Sequence, residues 1–143
     1  MIAQGALLEY AEYCGNYYGT PRVYVERQLD AGRNVILEIE TEGAFQIRRQ
    51  CPETVLIFIA PPDYPTLKRR LTGRGTEPPE IIEKRLQKAQ KEIDRAALYD
   101  HVVINPDGGV QRAASDIRAI KDGAYTPSLG VEAFIRRFKQ TIR

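Results

Sequence analysis

The chain has 143 residues, 43% of them hydrophobic and 28% charged, with a formal net charge of +2. That length suits one ordinary domain with a real core, and the near-neutral balance excludes a strongly basic nucleic-acid binder. No apolar run is long enough to span a bilayer, and Met1–Glu9 lacks the basic start of a signal peptide. Two cysteines, Cys14 and Cys51, and the single His101 make neither a disulfide framework nor a zinc cluster. A reducing cytoplasm fits this usage.

In chain order, Leu8-Glu9 and Gly15-Asn-Tyr-Tyr-Gly-Thr-Pro21 come first and read either as a rigid loop with polar tyrosine tips or as an ordinary turn or strand. Val23 to Ala31 comes after Pro21 and stops at Gly32, as a helix does. Asn34-Val-Ile-Leu-Glu-Ile39 is a β-branched apolar run and predicts a buried strand. Thr41 can cap a short helix that runs to Gln50 and ends before Pro52. Thr54 to Ile59 is a second strand, and Asp63 can cap a helix carrying Leu67 and Leu71 inward. From Pro79 to Leu98, Ile82, Leu86, Ala89, Ile93 and Ala97 form one helical stripe. His101 to Ile104 is a third strand, succeeded by a turn at Pro106-Asp-Gly-Gly and a helix to about Lys121. Pro127 and Gly130 interrupt the last stretch of the chain, and Val131 to Ile142 has the pattern of one more amphipathic helix. Apolar strands alternating with helices predict an α/β domain with a parallel sheet covered on both faces.

Three groups of residues can carry chemistry. In open α/β sheets, ligands bind beyond the carboxyl ends of the strands, where Glu38, Glu40, Asp63, Asn105 and Asp107 stand. A carboxylate just past a buried strand is placed like an acid that assists a phosphate-bound magnesium, or else Glu40 and Glu42 simply start a helix, whose dipole favours acids. The run Arg70-Leu-Thr-Gly-Arg-Gly-Thr76, with Arg85 beyond it, sits in a basic stretch that includes Lys68, Arg69, Lys84, Lys88 and Lys91. Arginine forks grip phosphate oxygens, so a Gly-bounded arginine loop is either a lid over a polyphosphate or a solvated basic surface. Finally, a carboxylate such as Glu9 can accept two hydrogen bonds from a guanine edge, and a tyrosine hydroxyl such as that of Tyr18 can donate to phosphate.

Taken together, these motifs resemble the guanylate kinase family from Met1 to about Lys121. The family's Leu-Glu-x-Ala and Gly-Asn-x-Tyr-Gly-Thr stand here as Leu8-Glu9-Tyr10-Ala11 and Gly15-Asn16-Tyr17-Tyr18-Gly19-Thr20. Its acid-closed strand is Leu37-Glu38-Ile39-Glu40 with Gly43-Ala44, and its Ile-Phe-Ile-x-Pro-Pro is Ile57 to Pro62. Arg70 to Thr76, Arg85-Leu86 and Val102-Val103-Ile104-Asn105 complete the match.

The resemblance implies a P-loop nucleoside monophosphate kinase fold: a three-layer α/β core with a parallel sheet, plus part of the GMP-binding subdomain. Residues 1–33 would belong to that subdomain, 34–122 to the kinase core with a lid at about 72–84, and 123–143 to a C-terminal tail. It implies phosphoryl transfer from ATP to GMP with Mg²⁺. Glu9, Tyr18, Thr20 and Glu40 fall on GMP-binding positions, and Arg70, Arg74 and Arg85 on catalytic arginines. Arg70, Arg74 and Asn105 fall on the ATP side, and Glu38 near the metal. The family's Gly-x-x-x-x-Gly-Lys-Ser/Thr loop and its strand do not occur in this sequence. The chain is therefore expected to be inactive by itself and to pair with a second copy, or rearrange, where that strand would lie. The rival reading is a guanylate-kinase-like interaction module without catalysis; the retained arginines, tyrosine and acids argue against it.

Overall fold

A computed structural model describes residues 5–13, 16–73, 75, 77–127 and 129–142. They divide between Thr54 and Val55 into two units.

The first unit opens with an antiparallel hairpin, β1 (Leu7–Tyr13) and β2 (Asn16–Pro21). The sequence leaves a loop or a strand open here. The aromatic and β-branched side chains suit a pleated ladder, in which Glu9 stands opposite Thr20 and Ala11 opposite Tyr18. Gly19 is required by close approach, because a β-carbon there would come within 2.8 Å of the Glu9 carbonyl oxygen.

Helix α1 (Arg22–Asp30) comes directly after β2. Gly32, at φ +76°, takes the left-handed turn that ends it. The N–H groups of Gly32 and Arg33 return to the carbonyls of Leu29 and Gln28 at 2.9 and 3.0 Å, so two end carbonyls are satisfied.

The run from Asn34 to Ile39, expected to be a buried strand, joins no strand ladder among the described residues. It keeps a two-residue alternation all the same. Val35, Leu37 and Ile39 are half-buried against Leu8, Val25 and Ile47, while Ile36 is 81% exposed. One face of this segment meets the unit's core and the other meets solvent. Helix α2 (Thr41–Gln50) then buries Gly43, Ala44 and Ile47. Its cap position is Glu40, one residue earlier than the sequence suggests, and Thr41 is the first helical residue.

In the second unit, β3 (Ile57–Ala60) and β4 (His101–Ile104) pair in parallel, Ile57 opposite His101 and Ala60 opposite Ile104. A parallel pair needs a long crossover, here α3 (Tyr64–Thr72) and α4 (Pro79–Arg95). Asp63 caps α3 by accepting the Thr66 N–H at 2.8 Å, and Pro65 occupies its first turn. The side chain of Thr66 first, and its backbone N–H second, hold the Asp63 carboxyl below its ordinary pKa.

Leu86 and Ile93 carry the buried stripe of α4. The stripe ends at Ala96, not at Ala97, because residues 96–98 tighten into a 3₁₀ turn. Helices α5 (Val110–Lys121) and α6 (Val131–Gln140) complete the unit. Phe134 and Phe138 of α6 are among its largest fully buried side chains and pack with Ala60, Ile93, Ala96 and Val102. The tail is therefore built into the core of this unit.

Candidate functional site

The expected site residues fall into two groups, one in each unit. In the first unit, the cross-strand neighbours Glu9 and Thr20 are joined directly: the Thr20 hydroxyl donates to Glu9 Oε1 at 2.6 Å. Glu9 is only 6% exposed. A carboxylate so placed is costly without hydrogen bonds, and it has more acceptor sites than one hydroxyl can fill. Tyr18 lies two residues along β2 from Thr20, hence on the same face of the ladder. Its ring is 59% exposed. Glu40 caps α2 with its backbone, its carbonyl accepting the Ala44 N–H at 3.0 Å, and its side chain is exposed.

Three residues on the face of α2 that meets β1 join these: Gly43, which stands in the Gly-Ala motif but carried no expected role, and Gln46 and Gln50, which no motif marks. Gly43 lies against the Glu9 carboxylate. Gln46 holds the backbone of Tyr10 at both ends, accepting its N–H at 3.0 Å and donating to its carbonyl at 2.9 Å. Gln50 donates to the Leu8 carbonyl at 2.6 Å. The signal was the spacing 43, 46, 50, which places one face of a helix against one strand.

In the second unit, the structure brings Arg70 and Asn105 together. Arg70 Nη2 donates to the Asn105 carbonyl at 2.8 Å and to Asp107 Oδ1 at 3.0 Å. Arg69 forms an ion pair with the other oxygen of Asp107. Asn105 extends the sheet, its N–H reaching the Ala60 carbonyl at 2.8 Å. Its side-chain Oδ1 is buried and has no hydrogen-bond partner among the described residues. Arg85 is paired with Glu77 at 2.5 Å. Arg74 lies outside the described residues.

Glu38 is exposed on the extended segment of the first unit. Among the described residues, no group of three or more His, Cys, Asp or Glu side chains could hold a metal ion. A cavity of about 180 Å³ lies beside β4, lined by Ile104, Arg112, Asp116 and Tyr125 among others, and none of the expected site residues lines it. Burial there raises the Tyr125 pKa, and its hydroxyl donates to the Val102 carbonyl at 3.2 Å. No helix among the described residues is long and apolar enough to cross a membrane.

A parallel α/β unit in which Arg70 of α3 reaches Asn105 at the end of β4, in one chain with a hairpin that buries a carboxylate, is consistent with a nucleotide kinase-like fold. The family model for guanylate kinase matches residues 1–120. The chain is 46% identical over 141 residues to a guanylate kinase of Listeria monocytogenes serotype 4b (strain F2365), covering 99% of this chain and 66% of that protein. It is 45% identical over 142 residues to one of Streptococcus mutans serotype c, covering 99% of this chain and 65% of that protein. The crystal structure of guanylate kinase from Anaplasma phagocytophilum superposes with a TM-score of 0.68 at 29% identity, covering 99% of this chain and 69% of that one. The chain belongs to the guanylate kinase family. It spans about two thirds of the length of the relatives it matches (66% and 65%).

Proposed function

We propose that the protein's function is that of a guanylate kinase, transfer of the γ-phosphate of ATP onto GMP to give ADP and GDP, and that the 143-residue chain is inactive by itself because its sequence holds no Gly-x-x-x-x-Gly-Lys-Ser/Thr phosphate loop. The observation that carries this reading is the buried Glu9 carboxylate, oriented by Thr20 at 2.6 Å, in a chain of this family. A guanine edge presents two adjacent N–H donors, and a carboxylate is the side chain that accepts both at once. Glu9, Thr20 and Glu40 hold the base in this reading, and Tyr18 donates to the GMP phosphate. Residues 1–33 serve GMP, 34–122 form the kinase core with a lid at about 72–84, and 123–143 form the tail.

On the ATP side, Arg70, Arg74 and Arg85 gather the phosphates and the transferring group. Phosphoryl transfer asks the protein for positioning and charge neutralisation, with no covalent intermediate. Arginine forks supply both. The buried, unpartnered Oδ1 of Asn105 supports a place beside the adenine, whose amino group is a donor. Magnesium supplies further charge neutralisation on the phosphates of this reaction class. Glu38 as a single exposed carboxylate is not a shell for that ion, and the roles assigned here run through the arginines.

The test is calorimetric titration of the 143-residue chain with GMP, and with AMP as control. Selective binding of GMP, weakened by Glu9→Gln, is expected. Equal affinity for GMP and AMP would overturn the guanine assignment.

A further inference from the structure

The Glu9 carboxylate depends on something that is absent from the helix beside it. Gly43 lies in the first turn of α2 and is buried. A β-carbon built on it would come within 2.5 Å of Glu9 Oε2 and 3.2 Å of its Cδ. Two such heavy atoms cannot share that distance, so any side chain at 43 evicts the carboxylate from its present place. Most helical positions favour alanine over glycine by about 1 kcal/mol, so glycine here costs helix stability and returns space.

The same helix face holds the strand on both sides of Glu9. Gln46 clasps both backbone groups of Tyr10, at 3.0 and 2.9 Å, and Gln50 takes the Leu8 carbonyl at 2.6 Å. From the other side Thr20 fixes Oε1 at 2.6 Å. The acceptor is thus located by its own strand, by the opposite strand and by the helix, within the first unit alone.

We propose that Gly43 and Gln46 are specificity-determining positioning residues. Gly43 leaves the room in which the Glu9 carboxylate stands, and Gln46 sets the height of the strand that carries it. Together they fix where the acceptor meets a purine that bears an exocyclic amino group next to a ring N–H. This rests on the reading of Glu9 as the guanine acceptor. Neither residue touches the base.

The experiment compares GMP with inosine monophosphate, which lacks only the 2-amino group, by calorimetric titration of the 143-residue chain. The ratio of the two affinities reads the placement of the carboxylate. A merely destabilised protein loses active fraction for both ligands equally and keeps the ratio. Gly43→Ala is expected to melt no lower than the parent, since alanine favours the helix once Glu9 has moved. Its GMP preference should nevertheless fall about tenfold, the worth of one well-made charged hydrogen bond. Gln46→Met, which removes both backbone contacts at similar length, should reduce the ratio in the same direction. It guards against a Gly43 variant that fails to fold.

Glu9→Gln separates recognition of the base from positioning of the acceptor. If Glu9→Gln abolishes the preference while Gly43→Ala and Gln46→Met keep it, the positioning inference is overturned and the reading of Glu9 stands. If the parent shows no preference, or Glu9→Gln leaves it unchanged, the reading of Glu9 itself is wrong.

Discussion

The hydroxyl of Thr141 accepts the backbone N–H of Tyr64 at 3.0 Å, joining the end of α6 to the start of α3. One of the N–H groups that a helix start leaves unpaired is satisfied by a residue 77 positions away in the chain. The Tyr64 ring also meets Phe138 edge-on, with centroids 6.4 Å apart. The segment after Gly123 is thereby tied to the helix that carries Arg69 and Arg70. We expect Phe138→Ala to cost about 3–5 kcal/mol, as emptying a fully buried aromatic site does. Thr141→Val should cost about 1 kcal/mol, the worth of one hydrogen bond. Urea unfolding tracked by circular dichroism checks both. A Phe138→Ala loss below about 1 kcal/mol, the scale of exposed positions, would show that α6 does not belong to the core.

Asp63 makes stability depend on pH in the acid range. The Thr66 side chain, and after it the Thr66 N–H at 2.8 Å, lower the carboxyl pKa in the folded chain relative to the unfolded one. A depressed carboxyl pKa stabilises above the unfolded value, about 3.9, and the contribution is lost as pH falls through the folded value. At pH 7, Asp63→Ala should cost about 1 kcal/mol and Asp63→Asn only a few tenths, because asparagine caps nearly as well. As pH falls below about 4, the advantage of the parent over Asp63→Ala should shrink while that of Asp63→Asn persists. Thermal melts of the three proteins at pH 7 and pH 3 decide it.

Asp107 holds Arg69 and Arg70, and its own carboxylate is 64% exposed. An exposed ion pair contributes about 0–1 kcal/mol, so Asp107→Asn should barely move the melting temperature. If Arg70 is an ATP-phosphate ligand, the same change frees its guanidinium for phosphate and should tighten binding of ATP. Arg70→Ala should weaken it. Titration with ATP at low and moderate salt checks both directions, and weaker binding by Asp107→Asn would count against this role for Arg70.

Much of the fold is legible because local chemistry agrees with the tertiary outcome. The Asp63 cap, the helix stop at Gly32, the α2 termination before Pro52 and the strand His101–Ile104 all sit where their residues predict. Three readings fall short where partners decide the structure. Flanking glycines leave Tyr17 and Tyr18 open between loop and strand, and a facing strand makes them a ladder. Asn34 to Ile39 has strand composition, but a strand is defined by a pairing that no described residue supplies. Ala96 displaces Ala97 from the buried stripe through a tightening of the last turn that spacing at 3.6 residues cannot foresee.

The site shows the same division. Glu9 with Thr20, and Arg70 with Asn105, stand in motifs and are each brought together. Gly43 stands in a motif without an evident role, and Gln46 and Gln50 carry no such signal as individual residues. Their importance emerges only when a helix face is laid against a strand.

That contact has a further result for the hairpin. In β1 the backbone groups of Leu8 and Tyr10 point away from β2, and such an outward row is the usual template on which another extended chain adds itself. Here the amides of Gln46 and Gln50 occupy both groups of Tyr10 and the carbonyl of Leu8. A side-chain amide offers the same donor and acceptor as a peptide but propagates no ladder. Over Leu8 and Tyr10, two glutamines therefore take bonds that an added strand would need.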